Sequence, residues 1–427
     1  MENSLLKEKL LTLVSAAGLR LFVLPKPEYK KVYAALAVNY GSIDSQFITA
    51  DGRQMTVPEG IAHFLEHKMF EKPEGDVFQL FAKNGASANA YTTYNLTNYL
   101  FSCTTGFRDN LEILLNMVQE PYFTDASVQK EQGIIEQELR MYEDDPGHRV
   151  FMNLMQALYH VNPVRVDIGG TVESIRRITK EGLYDCHRTF YHPVNMALMV
   201  VGDVEAVLVA SQVEANLGKR GYRQQKAVER LTPEEPPEVH QAVVHDELVI
   251  SRPRLLLGFK DRTDCQGREL LKRELATSLV WRMVLGRSSP LYNQLYEEGL
   301  LDDRFSARYS SAPTYAFSVL GGETEHPEKL AEAIRAGLER VAGEGLREED
   351  FLRCRRALIG QFLEAFNSLE FIANSFVSHY FRGTSLFDYI SIMEELSLDD
   401  LNKRYMEHVY PGTTAMSILW PKGRRHV

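Results

Sequence analysis

His63-Phe64-Leu65-Glu66-His67 is the stretch from which the organisation of the chain follows. On an α-helix, residues four apart lie on one face about one turn apart, so the imidazoles of His63 and His67 can reach the same metal ion. Glu66 lies on the same side of that helix, where its carboxylate can reach a water molecule without binding the metal. The spacing therefore predicts a helix that carries two metal ligands and a general base.

The motif is specific, but it is not sufficient by itself. The chain has 12 His and 58 acidic residues among 427, and an H-x-x-[DE]-H pattern is then expected by chance about 0.04 times per chain. A surface helix with two solvated histidines and a glutamate would give the same pattern. A catalytic zinc site has three protein ligands and one open position, so the prediction requires a third ligand elsewhere.

A predicted helix over Val128–Tyr142 offers that ligand. Glu131, Ile134, Ile135 and Glu138 fall on one stripe of this helix. Burial of carboxylates among apolar residues costs free energy unless they are paired or bound to metal. Glu138 is the candidate third ligand, with Glu131 as its support. The spacing equally allows both carboxylates to face solvent.

Length and composition exclude several classes of protein. A chain of 427 residues is long for one hydrophobic core and predicts two or more domains. The 44% hydrophobic and 25% charged composition is typical of a soluble globular protein. The net charge of −10 disfavours a nucleic-acid partner. No apolar run is long enough to predict a membrane span.

Compartment is predicted from the N-terminus and the cysteines. Met1–Lys9 mixes both signs of charge and lacks the apolar region of a signal peptide. Cys103, Cys186, Cys265 and Cys354 are scattered and form no C-x-x-C motif. We therefore expect reduced thiols in a cytoplasmic protein.

The order of predicted elements indicates a duplicated α+β unit. The first half contains predicted strands within 11–24, 32–39, 86–103 and 196–201, and the second half contains predicted strands at 255–259, 315–320 and 416–420. Predicted helices lie between the strands of both halves. Gln224–Gln241 is polar and has three prolines, as linkers have. We assign a metal-binding domain to 1–225, a linker to 226–241 and a homologous domain without the motif to 242–427.

These features together resemble the pitrilysin/insulinase-type zinc metallopeptidases, the group that includes mitochondrial processing peptidase. Residues 63–70 are similar to the zinc helix of that family, and residues 130–139 resemble its downstream helix, in which two glutamates stand seven apart. The resemblance implies that Glu138 is the third zinc ligand and Glu131 the assisting carboxylate. It also implies one Zn²⁺ per chain and a zinc-dependent endopeptidase.

The resemblance also implies a fold and a way of binding substrate. The implied fold is α+β, with two homologous α/β-sandwich domains, each a mostly antiparallel sheet covered by helices. Four such domains enclose a chamber in this family, which admits unfolded peptides. Asn89-Ala90-Tyr91-Thr92 resembles the family strand to which a peptide adds through backbone hydrogen bonds, so Asn89 and Ala90 are implied substrate-binding residues.

One family feature is missing from the second half. The family has an Arg and a Tyr seven apart in a run of the form L-x-x-x-L-R-x-x-x-G-L-x-Y, and they stabilise the tetrahedral oxyanion. In the corresponding run here, Tyr296 stands in place of the Arg. Asp303, or Asp302 if Gly299 is the anchor, stands in place of the Tyr. An acidic group there would repel an oxyanion.

Two other arginines leave a second alignment open. Arg308 and Tyr315 are also seven apart, but they lie beyond the matching segment, and we interpret their spacing as accidental. The alternative is that the segment is misaligned and that Arg304 or Arg308 performs the role. The first interpretation predicts a heterodimer with a homologous chain that lacks H-x-x-E-H and supplies the Arg and Tyr; a homodimer is the alternative.

Two other functions compete with the endopeptidase. A non-catalytic structural or interaction subunit of the same family is one, although a scaffold has no need of the general base Glu66. A metal-dependent hydrolase of non-peptide substrates is the other. The implied peptide-binding strand at Asn89 and Ala90 disfavours that alternative.

Overall fold

The computed structural model describes residues 2–3, 8–222, 227–409 and 412–423. Parts of two predictions, the character of Met1–Lys9 and the start of the linker at 226, lie outside the described residues. No helix within the described ranges is long and apolar enough to cross a membrane.

The strands are short, from two to nine residues. In the first half they are β1 (Glu2–Asn3), β2 (Glu8–Lys9), β3 (Leu11–Val14), β4 (Arg20–Pro25), β5 (Val32–Val38), β6 (Gln46–Ile48), β7 (Gln54–Thr56), β8 (Glu71–Lys72), β9 (Gly75–Asp76), β10 (Ala86–Thr92), β11 (Thr97–Cys103), β12 (Met196–Gly202) and β13 (Glu229–Arg230). In the second half they are β14 (Val243–Leu248), β15 (Arg254–Lys260), β16 (Ser306–Ala312), β17 (Tyr315–Glu323) and β18 (Thr414–Pro421).

The helices vary from one turn to five. The first eight are α1 (Ile61–Met69), α2 (Val77–Lys83), α3 (Phe107–Gln119), α4 (Asp125–Glu143), α5 (Pro146–Leu158), α6 (Val172–Ile175), α7 (Lys180–Phe190) and α8 (Ala206–Gly218). They are followed by α9 (Gly267–Leu285), α10 (Pro290–Glu297), α11 (Pro327–Glu344), α12 (Glu348–Ala365), α13 (Leu369–Phe381), α14 (Tyr389–Glu395) and α15 (Leu398–His408).

The chain divides into two compact units. The first contains 1–139, 167–232 and 363–381, and the second contains 140–166, 233–362 and 382–427. This division follows compactness, whereas the predicted boundaries at 225 and 242 separate homologous halves. The predicted boundaries remain a prediction.

The first unit is built on a six-stranded sheet in the order β10-β11-β5-β12-β4-β3. Its neighbours are antiparallel except for β12 and β4, which are parallel. The central strands β5 and β12 consist entirely of buried residues, because helices cover the sheet. β10 lies at one edge, and among the described residues no strand pairs with its outer side.

The second unit repeats this topology. Its five-stranded sheet has the order β16-β17-β15-β18-β14, again with a single parallel pair, β14 and β18. Each of its strands has a counterpart in the first sheet, which has β3 in addition. The predicted α+β fold with two homologous, mostly antiparallel sheets is confirmed.

A cluster of charged and polar side chains is buried in the second unit. Asp261 pairs with the guanidinium of Arg404 and accepts a hydrogen bond from the Tyr309 hydroxyl at 2.7 Å. The Asp261 side chain is only 4% exposed. Burial raises the pKa of Asp261, but its bonds to His408 and Arg404 outweigh burial and lower that pKa well below its ordinary value.

Candidate metal centre

Helix α1 carries the H-x-x-E-H motif, and its apolar face packs into the core of the first unit. Phe64 and Leu65 are fully buried in the core of the first unit, which leaves the histidines on the opposite side. Gly60 begins the helix in a left-handed conformation (φ 86°). A Cβ at Gly60 would lie 2.2 Å from the carbonyl oxygen of Gly169, so only glycine fits there.

The two histidines and Glu138 converge. Glu138 Oε1 lies 3.8 Å from His63 Nε2, and Glu138 Oε2 lies 3.7 Å from His67 Nε2. One donor atom from each of the three residues lies within 4.8 Å of the other two. The structure thus brings together the three residues that the sequence analysis named as ligands, from α1 and α4.

This donor set fits a zinc ion. Ligands about 2.0–2.1 Å from a tetrahedral zinc lie about 3.4 Å from one another, close to the separations found here. The separations are too long for hydrogen bonds, so the histidines and Glu138 do not satisfy one another. Two imidazoles and one carboxylate are also the donor types of catalytic zinc sites with one open position.

Glu131 orients one of the imidazoles. Its Oε1 lies 3.0 Å from His67 Nδ1, which leaves His67 Nε2 directed at Glu138. Such outer carboxylates fix the orientation of a ligating histidine and increase its basicity. His63 lacks an equivalent bond among the described residues, because its buried Nδ1 has no hydrogen-bond partner.

The neighbouring acidic residue on α4 has a different partner. Glu136 Oε2 accepts from Arg176 at 2.9 Å, and Arg176 is 60% exposed. Glu136 is therefore an ion-pair partner on the surface, which distinguishes it from Glu131 and Glu138 on the same helix.

The surroundings of the site shift the pKa values of its titratable groups in different directions. Burial lowers the pKa of His63 to about 4, helped by the neighbouring His67, so this imidazole is neutral at pH 7. Burial also lowers the pKa of His67, but the bond to Glu131 and the nearby carboxylates outweigh burial and raise it. Burial raises the pKa of Glu66, partly offset by a hydrogen bond from Thr92. A raised carboxyl pKa suits a general base that works near neutral pH.

Thr92 is the residue that sequence reasoning missed. Its hydroxyl donates to Glu66 Oε2 at 2.7 Å. The segment 89–92 was expected to contribute through its backbone only. Nothing in the local sequence indicated that the hydroxyl of Thr92 would contact the carboxylate of Glu66 on α1.

The predicted substrate-binding residues lie on the edge strand β10. Asn89 is exposed and Ala90 partly buried. The backbone N–H of Ala90, which lies opposite Tyr99 of β11, donates to Asn89 Oδ1 at 2.9 Å. Ala86, Ala88 and Ala90 pack against the core on one face of β10, and Thr92 continues that face.

The residues considered as an oxyanion clamp, meaning the groups that would stabilise the tetrahedral oxyanion, lie in the second unit. Tyr296 is 53% exposed on α10. Arg304 is engaged by two carboxylates, those of Asp302 and Glu323, each at 2.6 Å. Arg308 is exposed on the edge strand β16, whereas Tyr315 on β17 is buried.

Comparison with known proteins defines the class of the chain. Residues 22–172 match the family model described as insulinase (peptidase family M16), and residues 177–358 match the model described as peptidase M16 inactive domain. The chain therefore belongs to peptidase family M16, and its fold agrees with that membership.

Individual relatives agree with the family. "Uncharacterized zinc protease YmfH" of Bacillus subtilis (strain 168) is 43% identical over 407 residues, 95% of each chain. An M16-like peptidase from Alicyclobacillus acidocaldarius is 39% identical with a TM-score of 0.94, covering 97% of this chain and 99% of that one. Pitrilysin shares the fold, with a TM-score of 0.78 at 16% identity; 99% of this chain matches 46% of pitrilysin.

Proposed function

We propose that this chain is a zinc-dependent endopeptidase subunit that hydrolyses internal bonds of unfolded peptides. The observation that carries the proposal is the convergence of His63, His67 and Glu138 beside the buried carboxylate of Glu66. The names of the relatives support it, since YmfH and YmxG of Bacillus subtilis are both called zinc proteases.

Each residue at the centre has a separate task. His63, His67 and Glu138 hold one zinc ion per chain, and Glu131 orients His67. When bound, zinc supplies Lewis acidity and lowers the pKa of water toward about 7. Glu66 accepts the proton of the attacking water and delivers it to the leaving amine. A non-catalytic family subunit, the alternative, would have no use for Glu66 at this place.

Substrate binding is assigned to the outer edge of β10. A peptide in extended conformation adds there as a further strand and forms backbone hydrogen bonds along the segment that contains Asn89 and Ala90. The outer edge of β10, with which no strand of the described residues pairs, supports this assignment. Recognition through the backbone requires an unfolded segment, whatever its side chains.

A partner chain completes the site in this proposal. Tyr296 and Asp303 stand where the family has its Arg and Tyr, so the chain lacks a group to stabilise the oxyanion. A homologous chain without H-x-x-E-H, forming a heterodimer, supplies both; a homodimer is the alternative. A structure of the first half of the periplasmic protease PqqL of Escherichia coli shares the fold over 97% of this chain and 92% of that chain.

The cytoplasm is the proposed compartment. Cys103, Cys186, Cys265 and Cys354 are all free thiols, and three of them are buried. Free thiols fit a reducing compartment. PqqL is named a periplasmic protease, so fractionation of cells followed by immunoblotting is the direct test.

A quenched-fluorescent peptide assay tests the function. The zinc-loaded chain is measured alone and with a homologous chain encoded nearby. We expect turnover only in the mixture, and loss of that turnover with retained zinc in Glu66→Gln. Strong activity of the single chain would refute the partner requirement. Zinc binding without turnover in either sample, over a diverse peptide library, would favour the non-catalytic subunit.

A further inference from the structure

The hydroxyl of Thr92 is directed at the proposed general base. Thr92 Oγ1 donates to Glu66 Oε2 at 2.7 Å, a length typical of a hydroxyl bound to an ionised carboxylate. Glu66 is buried at 7% exposure. Thr92 contributes to the orientation of this carboxylate through its hydroxyl and also through its backbone N–H.

The surroundings of Thr92 hold its hydroxyl in that direction. Thr92 Oγ1 also lies 3.3 Å from Thr97 Oγ1 on the paired strand β11. Thr97 Oγ1 donates its own proton to the carbonyl oxygen of Tyr40 at 2.9 Å. The single proton of Thr92 then has the carboxylate of Glu66 as its closest acceptor, and the oxygen of Thr97 as a distant second.

A carboxylate bound through one oxygen is restricted in rotation. With Oε2 of Glu66 bound to Thr92, Oε1 is the oxygen left for proton transfer. Such control matters because misplacement of a catalytic group by about 1 Å costs roughly 100-fold in rate.

We propose that Thr92 is a positioning residue for Glu66, an inference that rests on the proposed function. Thr92 ends the same strand that presents Asn89 and Ala90 to the peptide. One strand therefore carries both the substrate-binding backbone and the group that orients the base, so a shift of the strand moves both together.

Binding of a peptide hydroxamate to the zinc-loaded chain tests this inference without turnover. A hydroxamate binds zinc through two oxygens and donates a hydrogen bond to an adjacent carboxylate, so its affinity reports the placement of Glu66. By titration calorimetry we expect Thr92→Val to bind about 10-fold more weakly, as for loss of a hydrogen bond to a charged group. Thr92→Ser, which retains the hydroxyl, should restore binding to within about threefold. Zinc content should be unchanged in both.

A matched control removes a hydroxyl from the other face of the same strand. Ser87 is exposed on β10, and Ser87→Ala should bind the hydroxamate as the wild type does. If Thr92→Val does not fold, judged by circular dichroism, Thr92→Ala replaces it. With the partner chain present, the Thr92 variant should lower kcat with KM unchanged.

The outcomes separate this inference from the proposed function. Wild-type affinity in Thr92→Val and Thr92→Ala, or equal losses in Thr92→Ser and Thr92→Val, would overturn the positioning role. If Glu66→Gln weakens hydroxamate binding while Thr92→Val does not, only this inference fails. A wild-type chain that binds no zinc, or Glu66→Gln with unchanged hydroxamate affinity, counts against the proposed function itself.

Discussion

Glu131 allows zinc affinity to be lowered without removal of a ligand. Its carboxylate accepts from His67 Nδ1 at 3.0 Å and is not itself one of the three proposed ligands. A hydrogen bond to a charged group contributes about 1.5–3 kcal/mol. Glu131→Ala removes the whole bond and should weaken zinc binding about 100-fold, or about 2.7 kcal/mol. Glu131→Gln keeps an acceptor but loses the charge, so we expect about 10-fold, or about 1.4 kcal/mol.

Competition with a chromophoric chelator measures these affinities at constant pH. Glu136→Gln is the matched control, because it makes the same chemical change on the same helix. Its bond at 2.9 Å to the exposed Arg176 contributes little to stability, and zinc affinity should stay within about twofold of wild type. Loss of zinc binding in Glu136→Gln, with wild-type zinc affinity in both Glu131 variants, would refute the roles assigned to the acidic residues of α4.

Four further variants test other parts of the structure. Glu138→Gln should weaken zinc binding more than either Glu131 variant, measured by the same competition, because it replaces a proposed ligand. Arg308→Ala should leave activity of the complete enzyme within about twofold in the peptide assay; a collapse would place the oxyanion clamp in this chain. Gly60→Ala should destabilise the chain by at least about 2 kcal/mol in urea unfolding, since its Cβ would overlap a carbonyl oxygen. Asp261→Asn should cost about 3 kcal/mol in the same assay, because it leaves a buried Arg404 without its charge partner. The lowered pKa of Asp261 means that this stabilisation is present above the unfolded pKa of about 3.9 and is lost only as pH falls through the lower folded value.

Local pattern predicted most of the elements around the site. The helix of the H-x-x-E-H motif, the strands within 86–103 and the helix that carries Glu131 and Glu138 were all predicted, and the structure confirms them as α1, β10 with β11, and α4. Each has a strong periodicity or a clear turn signal within about fifteen residues. α4 is longer than predicted at both ends, by three residues at the start and one at the end.

Contacts between segments that are far apart in the sequence could not be predicted from local sequence patterns. The spacing of residues along α4 did not distinguish Glu138 from a glutamate exposed to solvent. In the structure, Glu138 lies next to His67 of α1, whereas Glu136 pairs with Arg176. Thr92 was missed for the same reason. The edge strand β16 was also missed, because its alternation of small and polar residues is typical of many exposed loops as well.

Under the proposed function, the open edge of β10 would select peptides by their extended conformation before their sequence. Backbone hydrogen bonds are the same for every residue except proline, which lacks the donor. A segment inside a folded domain must first open locally, and the free energy of that opening adds to the barrier for its capture. Cleavage of a protein at this edge would therefore become faster as the local stability of the captured segment falls. The edge would act as a sensor of the folding state of each chain that reaches it.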